Sequence, residues 1–122
     1  MKEKLDERRP IYIQIKESIE DSIINGTIKV GDRIPSTNEL AKFYNINPAT
    51  ARQGINKLAT ENIVEKQRGV GMFVTDSGKE KLIEHRKQLF YENYVLPLKS
   101  EAEKLNISDQ QLLDMLEGGD TE

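Results

Sequence analysis

A chain of 122 residues, 36% hydrophobic and 32% charged, has room for one ordinary domain, or a small domain with an appendage, around a modest core. It has no cysteine and a single histidine, His85, which excludes a disulfide framework, a thiolate metal site and an imidazole cluster. The net charge of -3 is unevenly spread, with 12 Lys and Arg against 11 Asp and Glu from Met1 to Gly78, 6 against 10 from Lys79 onward, and 6 against 3 between Arg33 and Thr75, so the middle of the chain is the part suited to a phosphate-binding face.

In chain order, Met1 to Pro10 is charged and reads as a frayed arm. No later run approaches the roughly 18 apolar residues of a membrane span, so a soluble, cytoplasmic protein is expected. Ile11, Ile15, Ile19 and Ile23 then recur every four residues, predicting a scaffold helix with Gln14, Lys16, Glu17, Glu20 and Asp21 outside. Asn25-Gly26 ends it, glycine being a common left-handed cap. Gly31-Asp32 supplies a turn, Arg33-Ile34 a short extended piece, and Pro35 keeps Ile34 out of helix. Ser36-Thr37-Asn38-Glu39 is a capping box that opens a short helix at Thr37. Leu40 and Ala41, with Phe43 or Tyr44, give that helix its buried side.

The stretch from Asn45 to Ala59 carries the strongest signal. Asn47 caps a helix whose first residue is Pro48, which loses no hydrogen bond there. At about 100° per residue, Ala51, Ile55 and Leu58 fall on one face and Ala49, Arg52, Gln53, Asn56 and Thr60 on the other. The outer face holds no carboxylate although the chain is acidic, and its side chains are those that reach base edges and phosphates. Such a polar face can also be merely solvated; its neighbours decide. Two capped helices across a tight turn have the form of a helix-turn-helix. The helix start at Thr37 offers oriented N–H groups, and Ser36 and Thr37 offer hydroxyls, where a phosphate could sit.

Next, Ile63 to Lys66 and Met72 to Thr75 predict two short strands, joined by Gln67-Arg68-Gly69-Val70-Gly71. Lys66 and Arg68 stand at the approach and tip of this hairpin, which forms a wing suited to phosphate or the minor groove. After the break at Asp76-Ser77-Gly78, Leu82, Leu89 and Leu96 are spaced at sevens with Ile83 and Phe90 beside them, until Pro97 must kink or end the helix. Leu98, Ala102 and Leu105 continue an apolar side. A second capping box from Ser108 to Gln111 opens a last helix with Leu112, Leu113 and Leu116, stopped by Gly118-Gly119. Apolar stripes without a globular core of their own call for a second copy of the chain. The expected dimerisation residues are Leu82, Ile83, Leu89, Phe90, Leu96, Leu112, Leu113 and Leu116.

The expected fold is mainly α with a small β-hairpin: a winged helix-turn-helix over residues 10–76, then a two-helix dimerisation region over 77–118. Pro10 to Ile15, Gly31 to Ser36, Glu39-Leu40-Ala41, Asn47 to Arg52, Leu58 and Arg68 to Val74 together resemble the amino-terminal domain of GntR-family transcriptional regulators. The short tail resembles that of the YtrA-type subfamily. The resemblance implies a homodimeric repressor acting on a pseudo-palindromic operator in double-stranded DNA, with contacts from the positions of Ser36, Thr37, Thr50, Arg52, Arg68, Gly69 and Gly71. With the helix face added, the candidate DNA-binding set is Ser36, Thr37, Asn38, Ala49, Thr50, Arg52, Gln53, Asn56, Lys57, Arg68, Gly69 and Gly71. The family often has Arg where Asn38 stands, and some members have Arg where Pro48 stands, so Arg52 becomes the best candidate for a base contact.

A winged-helix module that docks a protein is the alternative, and it would call for large apolar residues on the exposed face of the second helix. An enzyme is the weakest reading: there is no Cys, no partner for His85, and Gly69-Val70-Gly71 sits in a hairpin and lacks the rest of a nucleotide loop. No cofactor or metal is expected. A small-molecule effector is of unknown chemistry, and the aromatic crowding of Tyr91 and Tyr94 beside Pro97 marks one place for it.

Overall fold

The computed structural model describes residues 4–118 and divides into two compact units, Met1–Glu84 and His85–Glu122.

In the first unit, helix α1 (Ile11–Ile24) is the hub. Ile15, Ile19 and Ile23 are fully buried, as their four-residue spacing requires, and each contributes about 1.5–3 kcal/mol through its removal from water. The capping box of Ser36 and Glu39 opens α2 (Thr37–Tyr44), and Asn45 closes it in the left-handed conformation at φ 54°. Asn47 and Pro48 then start α3 (Pro48–Thr60). Of the two aromatics at the end of α2, Tyr44 is the buried one; its hydroxyl lies 2.9 Å from Ser18 Oγ, while Phe43 packs edge-on against its ring and stays half exposed.

Strands β1 (Val64–Gln67) and β2 (Gly71–Val74) pair antiparallel, with Val64 opposite Val74 and Gln67 opposite Gly71. The extended piece around Arg33 adds itself to this hairpin: Ile34 N–H donates to the Met72 carbonyl at 2.9 Å, Gly31 N–H to that of Val74 at 3.0 Å, and Arg33 pairs with Phe73. The wing is therefore held to the segment that leads into α2.

The amino-terminal arm and the outer face of α1 depart from expectation. Residues 5–10 are not frayed, and Gln14, Lys16 and Glu20 do not face solvent. Gln14 is 2% exposed: its amide accepts from Asp6 N–H at 2.6 Å and donates to the carbonyls of Asp6 and Arg9, while Leu5 packs against the core. Lys16 Nζ lies 2.6 Å from Glu20 and 3.2 Å from Glu61, so one buried cation joins α1 to the end of α3. A helix covered on several sides buries polar residues when each finds a partner. Residues Met1 to Glu3 of the expected arm lie outside the described residues.

Leu82 departs from expectation as well. It is 1% exposed and belongs to the core of the first unit with Ile63, Val64 and Val74, so it does not lie on an exposed seam. The first residues of α4 (Gly78–Phe90) consequently belong to the winged unit, and the division falls after Glu84, later than the expected boundary after Asp76.

In the second unit the helix does not end at Pro97. A wide turn of π geometry over Tyr91–Val95, in which Leu96 N–H donates to the Tyr91 carbonyl five residues back, leads directly into α5 (Leu96–Lys104). Proline lacks an N–H and its ring crowds the carbonyl four residues earlier, and a widened turn just before it is one way to continue the helix past that clash. The second capping box opens α6 (Asp109–Leu116), with Gly118 at φ 73° beyond it; Gly119 lies outside the described residues. Phe90, Leu96, Leu113 and Leu116 are exposed, whereas Ile83, Leu89 and Leu112 are half-buried.

Candidate nucleic-acid interface

The interface is built from two caps and a close helix contact. Ser36 Oγ accepts from Glu39 N–H at 3.1 Å, and the Glu39 carboxylate accepts from Ser36 N–H at 2.7 Å. Asn47 Oδ1 accepts from Ala49 N–H at 2.8 Å. Gly54 lets α3 settle onto α1, because a Cβ there would stand 2.9 Å from the Tyr12 carbonyl oxygen and 3.3 Å from the Ile15 side chain. With Ala51, Ile55 and Leu58 buried beneath, Ala49, Arg52, Gln53, Asn56, Lys57 and Thr60 are turned outward.

Between the start of α2, the outer face of α3 and the wing lies an open groove of about 550 Å³. Of the expected contacts, Ser36, Thr37, Asn38, Arg52, Asn56 and Gly71 line it together. Ala49, Gln53 and Lys57 stay exposed on α3 outside its lining, Thr50 is half-buried, and Arg68 and Gly69 stand exposed at the wing tip. Two further cations line the groove, Arg33 and Lys66. Lys66 is legible as the residue approaching the wing tip. Arg33 is not, because only its pairing with Phe73 carries it to the wing. Among the described residues, none that lines the groove is acidic. Glu39, whose oxygen lies 3.7 Å from Arg33, is held below its ordinary pKa by hydrogen bonds from the Ser36 backbone and hydroxyl, with the Arg33 charge adding to them.

Three cations, two hydroxyls and two side-chain amides on one concave, acid-free face form a donor array for phosphate oxygens and base edges. From the hairpin, Gly71 and Met72 line the same groove.

Comparison with known proteins agrees with this geometry. Residues 11–74 match the pattern of bacterial regulatory proteins of the gntR family. The HTH-type transcriptional repressor YtrA of Bacillus subtilis (strain 168) is 34% identical over 83 residues, which cover 68% of this chain and 64% of YtrA. The chain thus spans a little under two thirds of that relative's length. A GntR family transcriptional regulator from Listeria monocytogenes superposes with a TM-score of 0.80 at 29% identity, covering 95% of this chain and all of that one. The AraR DNA-binding domain in complex with operator ORE1 matches with a TM-score of 0.53 at 30% identity, covering 62% of this chain and 94% of that one. The family match over residues 11–74, more than half of the chain, and the likeness in fold show that the chain belongs to the gntR family of bacterial regulatory proteins and carries its winged helix-turn-helix.

Proposed function

We propose that this chain binds double-stranded DNA as a homodimer and represses transcription from a pseudo-palindromic operator. α3 enters the major groove with Arg52 and Asn56 against base edges, Ser36, Thr37 and Thr50 hold phosphates, and Arg68 and Gly69 lay the wing on the backbone. The acid-free groove that gathers Arg52, Asn56, Ser36 and Thr37 carries this reading. YtrA is named a repressor and the AraR domain is bound to an operator, which supports extending the role to this chain. The face of α3 also argues against a protein-docking module, since its exposed residues are Ala49, Arg52, Gln53, Asn56, Lys57 and Thr60, with no large apolar anchor among them.

The second unit supplies the proposed dimer contact. Phe90, Leu96, Leu113 and Leu116 are exposed, Leu116 by 73%, and a second copy removes such surface from water. No catalytic role, cofactor or metal enters this reading, and the protein acts in the cytoplasm.

The test is binding to a fluorescent duplex from the protein's own upstream region against a scrambled duplex, at two salt concentrations. Preference for the upstream duplex by about 10³-fold or more, falling steeply with salt, is the expected result. Absence of binding to either duplex at low salt contradicts the proposal and favours the docking module.

A further inference from the structure

Arg33 precedes the helix-turn-helix in sequence, and neither the caps nor the face of α3 points to it. Its location in the fold is specific. The backbone is fixed by the pairing with Phe73 and by the Ile34 to Met72 hydrogen bond. Its aliphatic stem lies over Gly71, the first residue of β2: a Cβ on Gly71 would stand 3.0 Å from Arg33 Cδ and 3.3 Å from Cγ. Gly71 also has φ +140°, a conformation that side chains rarely adopt. The second strand of the wing therefore begins at a residue that leaves a bed for this arginine.

The guanidinium end is held loosely. Its pairing distance to Glu39 is 3.7 Å, the two side chains are 46% and 56% exposed, and the Glu39 oxygen in that pair is the one already accepting from Ser36 N–H. An exposed ion pair of this length contributes little, about 0–1 kcal/mol. Arg33 also lines the same acid-free groove as Arg52 and Lys66.

We infer that Arg33 is a DNA backbone contact: a cation bedded on Gly71 that leaves Glu39 for a phosphate at the seam between α2 and the wing. When DNA arrives, a full phosphate charge at close range competes with a carboxylate oxygen that already accepts from Ser36 N–H. The contact carries no base information, so its effect is equal on every sequence. This rests on the reading of the groove as a DNA interface.

The experiment uses the full chain, a mixed-sequence duplex of about 30 base pairs and a scrambled duplex of equal length, titrated between about 50 and 200 mM salt. Arg33→Gln is expected to weaken binding to both duplexes by the same several-fold factor, and to make the dependence of log K on log salt shallower by about 0.9 for each protomer in contact. Arg33→Lys, which keeps the charge, is expected to retain the wild-type slope. Thermal melting of both variants separates this effect from loss of fold. An Arg33→Gln protein that melts as wild type and keeps the wild-type slope overturns the inference while leaving the DNA reading intact. A wild-type protein that binds neither duplex overturns both.

Discussion

Gly54 of α3 rests on Tyr12 of α1, so closely that a methyl group at Gly54 would stand 2.9 Å from the Tyr12 carbonyl oxygen. Backbone meets backbone here, and the neighbour cannot swing away as a flexible side chain would. The position of the proposed reading helix relative to its scaffold is set at this contact. Gly54→Ala adds about 1 kcal/mol of helix propensity but costs about 1–3 kcal/mol through overpacking. The expected outcome is a protein destabilised by up to about 2 kcal/mol in urea unfolding, with weaker DNA binding because α3 is displaced. A variant at least as stable as wild type would show that this contact does not set the position of α3.

Lys16 makes a different connection between the same helices. Its side chain is 10% exposed and that of Glu20 2%, while Glu61 at the end of α3 completes the group. Burial alone pushes the Lys16 pKa down, but the hydrogen bonds and charges of Glu20 and Glu61 outweigh it and raise the value above its usual 10.5. The folded state thus binds this proton more tightly than the unfolded chain does. Its stabilisation is complete below pH 10.5 and is lost as pH rises through the higher folded value. Lys16→Met removes the cation that Glu20 and Glu61 share and is expected to cost about 3–5 kcal/mol, less when Glu20→Leu is added. Unfolding midpoints against pH check both points: wild-type stability declines in the alkaline range, and the double variant loses that part of the decline.

Much of this fold was legible because the signals are local. Ser36 with Glu39, Asn47 with Pro48, and Ser108 with Gln111 each mark a helix start within four residues, and each is found there. The apolar faces of α1 and α3 follow from the spacing of Ile15, Ile19, Ile23, Ala51, Ile55 and Leu58. What was not legible depends on partners far along the chain. Gln14 is buried because Asp6 and Arg9 fold back to it, and Arg33 reaches the groove through Phe73. Leu82 fits a seven-residue seam as well as it fits the core, and spacing cannot choose between the two; the buried surface of Ile63 and Val74 does.

That choice is itself testable. Leu82→Ala is expected to destabilise the winged unit by about 2–5 kcal/mol, as for a large buried side chain. Leu113→Asp with Leu116→Asp changes residues that are 51% and 73% exposed and is expected to leave that unit's melting unchanged while shifting the protein from dimer to monomer in sedimentation velocity. If the paired substitution leaves the sedimentation coefficient where it was, the proposed dimer contact lies elsewhere.

Arg52 stands exposed on the outer face of α3 and lines the groove with Asn56. As a bidentate base contact it contributes about 1–3 kcal/mol of operator binding, so Arg52→Ala is expected to weaken the operator complex by that amount and to relax sequence preference at one base pair. A uniform loss across all sequences, with the salt slope reduced by about one, would mark it as a phosphate contact instead.

The central claim is that α3 reads DNA sequence, and selection from a randomised duplex pool tests it whatever the operator sequence is. The pool, bound to the full chain over several rounds, is expected to converge on an inverted repeat in which each half-site meets one protomer. Arg52→Ala protein is expected to lose the preference at one position in each half. A pool that stays random after rounds in which the protein retains DNA, or from which it retains none, contradicts the claim.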